Sequence, residues 1–171
     1  MNLHIRDQDL QVLKKWTGES IQAMQSDFFH MYLDDLKNQS FTSSETLVLM
    51  HTPDRYLVFG IESDLGPDFE DVWQITINEK RTPSPLTYEE RAGSAQATRS
   101  SGLSVFSEIK SSVVYQKSIE SFSFDYALVF TLKNKERFCV SGDAFRFWVS
   151  FNQERIEERV AGCSVRWKYE G

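Results

Sequence analysis

The sequence is poor in the residues that most often carry chemistry. It has three histidines, His4, His30 and His51, and two cysteines, Cys139 and Cys163. No histidine lies within a few residues of another, of a cysteine or of a carboxylate pair, so the spacings that build zinc sites and HExxH helices are missing. The cysteines match no metal or redox motif, and two buried thiols acting as small hydrophobes are expected. Neither of the glycine-rich patterns that cradle phosphates occurs, and there is no GxSxG nucleophile elbow. No apolar run is long enough to span a bilayer, and the first thirty residues lack the apolar core of a signal peptide. These absences lead to the expectation of no catalytic residues, no metal, no cofactor, no membrane contact and a cytoplasmic location.

What is present is aromatic and acidic. The 171 residues are 40% hydrophobic and 13% aromatic, enough apolar area for one well-buried core. Aromatic enrichment leans towards strands. The formal net charge of −6 repels phosphate backbones, which argues against nucleic acid as a partner.

Periodicity predicts an α+β fold: a mainly antiparallel sheet or partial barrel, with an N-terminal helix and a short C-terminal helix. Ile21, Met24, Phe28 and Met31 recur at steps of three and four, with Leu36 near the end. That spacing predicts a helix from Ile21 to Leu36, against a competing reading as two short strands. Leu10 and Leu13 fit a shorter turn stopped near Gly18. Leu47-Val48-Leu49 and Leu57-Val58-Phe59 flank Pro53 and Asp54 and read as a hairpin. The run from Val72 to Ile77 alternates as a strand. Residues 80–102 are sparse in apolar side chains and read as a long polar loop, with one short helix around Tyr88 to Ala92.

Beyond the loop the pattern is plainly β. Phe122 to Leu132, Arg137 to Val140, Phe145 to Phe151 and Val165 to Tyr169 read as strands, and Glu154 to Val160 as a helix. The apolar runs at Leu47 and Leu57 recur at the same step at Leu128 and Phe138. An internal duplication would explain this, with similar halves at about 1–79 and 103–171 joined by the polar loop. Hairpins also resemble one another without common origin, so a single domain over 1–171 is the plainer reading.

One local feature stands out. Glu62, Asp64, Asp68, Glu70 and Asp71 place five carboxylates in ten residues with no base among them. The order of an EF-hand calcium loop is absent and Pro67 interrupts it. The segment reads as a solvated loop or as an acidic docking surface, with Phe69 and Trp73 as candidate anchors. A basic stretch follows near the C-terminus: Arg146, Arg155, Arg159, Arg166 and Lys168. It is interleaved with glutamates at spacings that suggest pairing on a helix surface. Trp148, Trp167 and Tyr169 could stack bases, but the pattern of an RNA-binding sheet is missing and core roles suffice.

The cadence from Phe124 to Asn134, then Arg137 to Val140, resembles that of bacterial immunity proteins encoded beside secreted toxins. Ile61 to Asp64 followed by Val72 to Thr76 has the same character. The resemblance covers about half the chain and carries no diagnostic motif. It implies a small, acidic, non-enzymatic protein that neutralises a toxin by binding it. The contact residues expected on the chain's own charge pattern are Glu62, Asp64, Asp68, Phe69, Glu70 and Asp71, facing a basic protein partner. Two other classes remain open: a small-molecule-binding barrel-like protein, and an enzyme whose dispersed residues are assembled only by folding.

Overall fold

The computed structural model describes residues 3–31, 39–65, 71–81, 87–92, 94–99, 101–120, 122–143 and 145–171. It contains α1 (Asp7–Trp16), β1 (Ser20–Ser26), β2 (Phe29–His30), β3 (Ser40–Ser43), β4 (Thr46–Thr52), β5 (Arg55–Leu65) and β6 (Asp71–Lys80). The second half has β7 (Thr87–Arg91), β8 (Ser94–Arg99), β9 (Ser101–Ile119), β10 (Phe122–Leu132), β11 (Arg137–Asp143), β12 (Arg146–Ser150), α2 (Gln153–Val160) and β13 (Ser164–Glu170). The fold is mainly an open antiparallel sheet of eleven strands, in the order β2-β3-β12-β11-β10-β9-β1-β4-β5-β6, with β13 also paired to β9.

β9 is the pivot. Its first part pairs with β1, and its second part lies between β10 and β13. Between the two parts Ile21 opposes Ser107 while Ala23 opposes Ser104, so β9 carries an extra residue against β1. Phe106 sits in this bulge at φ 47° and is 72% exposed. A bulge re-aims the strand it interrupts. The sheet's two wings then face each other. Leu47, Leu49, Leu57, Phe59, Ile75 and Ile77 from one wing share a core with Leu128, Phe130, Phe138, Val140, Phe147 and Val149 from the other. Phe59 meets Phe130 and Phe147 edge-on across the gap. The interior is therefore filled by side chains.

The helices follow from local chemistry. Asp7 and Asp9 occupy the first turn of α1 and Lys14 and Lys15 the last, which complements the helix dipole. Its Leu10, Leu13 and Trp16 are buried in the core between the wings. Asn152 caps α2 by accepting from the Arg155 N–H at 3.0 Å. Ile156 and Val160, one turn apart, bury against Ala127, Val129 and Cys139 on the outer face of β10 and β11.

Two expectations are corrected. The segment from Ile21 is strand, not helix: β1 and β2 occupy it, and the helix lies upstream at Asp7–Trp16. Ile21 and Met24 are both fully buried although three apart. The register break between them shifts the inward phase, so a distorted strand imitates helical spacing. Leu36 lies outside the described residues. The polar stretch from Lys80 to Gly102 is not simply a loop with a short helix. Thr87–Arg91 and Ser94–Arg99 pair as a two-stranded antiparallel ribbon, and β9 begins at Ser101. Backbone hydrogen bonds carry such a ribbon, so it leaves no apolar periodicity to read.

A buried carboxylate locks the chain's ends to this sheet. Asp125 on β10 is fully buried. Arg166 of β13 donates to it twice, both at 2.6 Å, and the Ile5 N–H donates at 2.6 Å. At the far end of α1, Trp16 Nε1 donates to Glu79 at 2.7 Å and Arg55 bridges Glu79 and Glu19. His51 joins this group, with Nδ1 2.6 Å from the Ser20 carbonyl.

Asp125→Asn should destabilise the fold by about 3 kcal/mol, the low end for a broken buried pair because Arg166 keeps some water contact. Urea unfolding measures it, and pairing Asp125→Asn with Arg166→Met should recover part of the loss. Burial pushes the Glu79 carboxyl up, but hydrogen bonds from Arg55 and Trp16 outweigh it and leave it below its ordinary value of 4.5. A group depressed on folding stabilises above its unfolded pKa and loses that effect as pH falls through the folded value. Glu79→Gln should therefore lower Tm at pH 7, with the gap to wild type narrowing as pH falls below 4.5.

Candidate functional site

The acidic segment lies at one end of the β5–β6 hairpin. Glu62 is exposed on β5, opposite Gln74 of β6. Asp64 lies opposite Val72, and Asp71 opposite Leu65, at the last pairs of the ladder. Asp68, Phe69 and Glu70 fall outside the described residues. β6 ends the strand path, so the hairpin forms one border of the sheet. Trp73, expected as a surface anchor, turns instead onto Phe124, Tyr126 and the backbone of Gly142. A Cβ at Gly142 would collide with the indole, which is why glycine stands there. The buried Trp73 Nε1 has no acceptor among the described residues.

One line of residues has the order of a nucleophile relay. Ser123 Oγ lies 3.3 Å from His4 Nε2, and His4 Nδ1 lies 3.3 Å from Asp125 Oδ1. The chemistry does not follow, because Asp125 is already neutralised by Arg166 and holds the Ile5 N–H as well. A carboxylate engaged in that way gives little support to an imidazolium, and both histidine contacts are long. Gln74 donates to the His4 carbonyl at 2.7 Å. The group is a polar seam that fastens the N-terminal segment. No three His, Cys, Asp or Glu among the described residues are placed to hold a metal ion.

A cleft of about 450 Å³ opens on the outer face of β10–β12, beside α2. Its walls include Lys117, Tyr126, Trp148, Arg155, Glu158, Arg159 and Cys163. The Arg159 guanidinium lies 5.0 Å from the Tyr126 ring and 4.9 Å from the Trp148 ring. Its Nε donates to Ser141 Oγ at 3.1 Å. Lys117 reaches the Tyr126 ring from β9, at 5.0 Å. Burial raises the Tyr126 phenol, with Arg159 opposing it. Arg155 is paired to Glu158 at 3.2 Å, but Lys117 and Arg159 form no ion pair among the described residues.

Pairing along the helix, expected for the basic stretch, thus holds for Arg155 and fails for Arg159. The signal was in the sequence: Arg155 has Glu158 three residues on, whereas Arg159 has no acid three or four residues away on either side. The contribution of Lys117 from a strand far earlier in the chain had no local signature. Cys139 is buried as expected, but Cys163 is only half-buried and borders the cleft. Both thiols are free. Burial pushes Cys139 up to about 12. Burial also raises Cys163, against the pull of Lys117 and Arg159.

No protein-family model, curated protein or solved structure matches the chain. Among the described residues no helix is long and apolar enough to cross a membrane.

The two thiols should separate in alkylation. Iodoacetamide on the folded protein should label Cys163 alone, and faster at pH 9 than at pH 7, since the thiolate is the nucleophile. Peptide mass spectrometry should find Cys139 labelled only after denaturation.

Proposed function

We propose that this chain is a protein-binding module of the bacterial immunity type, which neutralises a toxin in the cytoplasm by covering it. The observation that carries the reading is the collection of acid at a hairpin end on the sheet's border. Glu62, Asp64 and Asp71 bracket the last pairs of the β5–β6 ladder, and Asp68 and Glu70 lie between them in sequence. A basic partner is drawn to such an end by long-range attraction, which speeds encounter more than it deepens affinity. The net charge of −6 acts in the same direction.

The fold suits such a role as an α+β domain made of two similar halves. Leu47 opposes Phe59 in the first hairpin, and Leu128 opposes Val140 in the second, at equivalent positions of the repeated pattern. Val48 with Val58, and Val129 with Cys139, are likewise equivalent and face outward in both. Matching register and matching faces support a duplicated unit. For the small-molecule reading, Phe59, Phe130, Phe138 and Phe147 fill the centre between the wings, and the space for an apolar ligand is a cavity of about 570 Å³ at its margin, lined by Phe29, Phe41, Leu103, Val105 and Phe151.

The partner to test is the product of a neighbouring gene with the architecture of a secreted toxin. Stoichiometric binding is expected, with association slowing as salt rises from about 0.05 to 0.3 M. Reversing Asp68, Glu70 and Asp71 to lysine should slow association about tenfold at low salt while dissociation changes little. Stopped-flow or surface-plasmon kinetics read both rates. On-rates indifferent to salt and to the reversals would remove the acidic surface from the proposal.

A further inference from the structure

We infer that the cleft beside α2 is a binding site for a small organic phosphate, its head group held between Lys117 and Arg159. Four observations converge on this. The first is unanswered charge: Glu158, which also lines the cleft, is paired to Arg155, while Lys117 and Arg159 form no ion pair among the described residues. Two unpaired cations match a phosphate monoester, which carries close to two negative charges at neutral pH.

The second is preorganisation. Arg159 is gripped by ring faces of Tyr126 and Trp148, and its Nε and Nη2 donate to Ser141 Oγ and the Gly142 carbonyl at 3.1 and 3.5 Å. A guanidinium has five N–H donors, so most of its edge remains for a ligand. A planar donor already fixed in place loses little entropy on binding, and arginine suits phosphate geometry. Lys117 supplies a point charge from a different element, β9, its Nζ 5.0 Å from the centroid of the same Tyr126 ring.

The third is size. At about 450 Å³ the cleft is far larger than a bare phosphate ion and falls in the range of small-molecule sites. The aromatic sides of Tyr126 and Trp148 give an organic body something to lie against. The fourth is the surrounding field. The chain as a whole is at −6, which repels an extended polyanion, so a local positive site favours a compact phosphate over nucleic acid.

The test is a titration followed by the indole N–H signals in ¹H–¹⁵N NMR spectra of the intact chain. Phenyl phosphate at constant ionic strength should move the Trp148 signal saturably and leave that of the buried Trp16 unmoved. Lys117 is exposed, so Lys117→Gln should leave the fold intact and weaken binding about fivefold. Arg159→Met should weaken it more, with circular dichroism confirming that the variant is folded. Inorganic phosphate should bind more weakly than phenyl phosphate, and benzoate more weakly still. No saturable shift by about 10 mM phenyl phosphate, an equal response to benzoate, or full binding by Lys117→Gln would each overturn the assignment.

Discussion

The structure depends on one buried charge. Asp125 is fully enclosed, and an enclosed carboxylate is tolerable only when its oxygens are met by donors. Those donors come from far apart in the chain: Ile5 before the first helix, and Arg166 in the last strand. Arg166 also donates to the Ile5 carbonyl, so the two termini are tied to each other as well as to β10. The arrangement is conditional. Sheet formation around β10 buries the carboxylate, and the two ends of the chain must then be in place together. A well-packed apolar trio could be as stable, so the contribution is best understood as selecting one placement of the termini. The placement matters, because the N-terminal segment leads directly into α1, which closes one end of the core.

A second constraint comes from parity. In both hairpins the residue that opposes its partner across the ladder has the same face, inward for Leu47, Leu49, Leu128 and Phe130, and outward for Val48 and Val129. A slip of one residue in either hairpin would exchange the faces and place the phenylalanines outside. The two wings are therefore held in register by the same rule, and β9 joins them by changing direction at its bulge. What differs is the outer covering. On β10 and β11 it is α2, which brings Arg155 and Arg159 with it, whereas on β4 and β5 Val48, Tyr56 and Val58 cluster with Met50.

The sequence made visible what is local. The hairpins at Thr46–Leu65 and Phe122–Asp143 were legible because alternation and turn residues are written within a few positions. The helix ending at Val160 was legible from the i,i+4 step of Ile156 and Val160. β1 was misread because a register break turns a period of two into an apparent period of three. The ribbon at Thr87–Arg99 was missed because pairing through the backbone leaves no apolar trace. The Asp125–Arg166 pair had no local signal at all, since Asp125 sits in a run that reads as a plain apolar strand and its partner lies 41 residues on. The cleft was partly legible. Arg159 without an acid three or four residues away could have been noticed, but Lys117 joins it only through the pairing of β9 with β10.

Charge placement then bears on function more than charge total. The acidic hairpin end and the cationic cleft belong to one molecule whose overall sign agrees with only one of them. Attraction at the hairpin end is reinforced by the rest of the chain and extends over a Debye length, about 8 Å at physiological salt. Attraction in the cleft works against the rest of the chain and must act at contact distance, through fixed donors and ring faces. The first kind of surface suits a large partner approached through solvent. The second suits a small one that fits between Lys117, Arg159 and the rings that hold them. Trp73 connects the two regions physically, since it rises from the acidic hairpin and packs on Tyr126 and Gly142, the same residues that position Arg159. A partner that moved the end of β6 would press on that indole, and among the described residues the indole has no hydrogen bond to resist the movement.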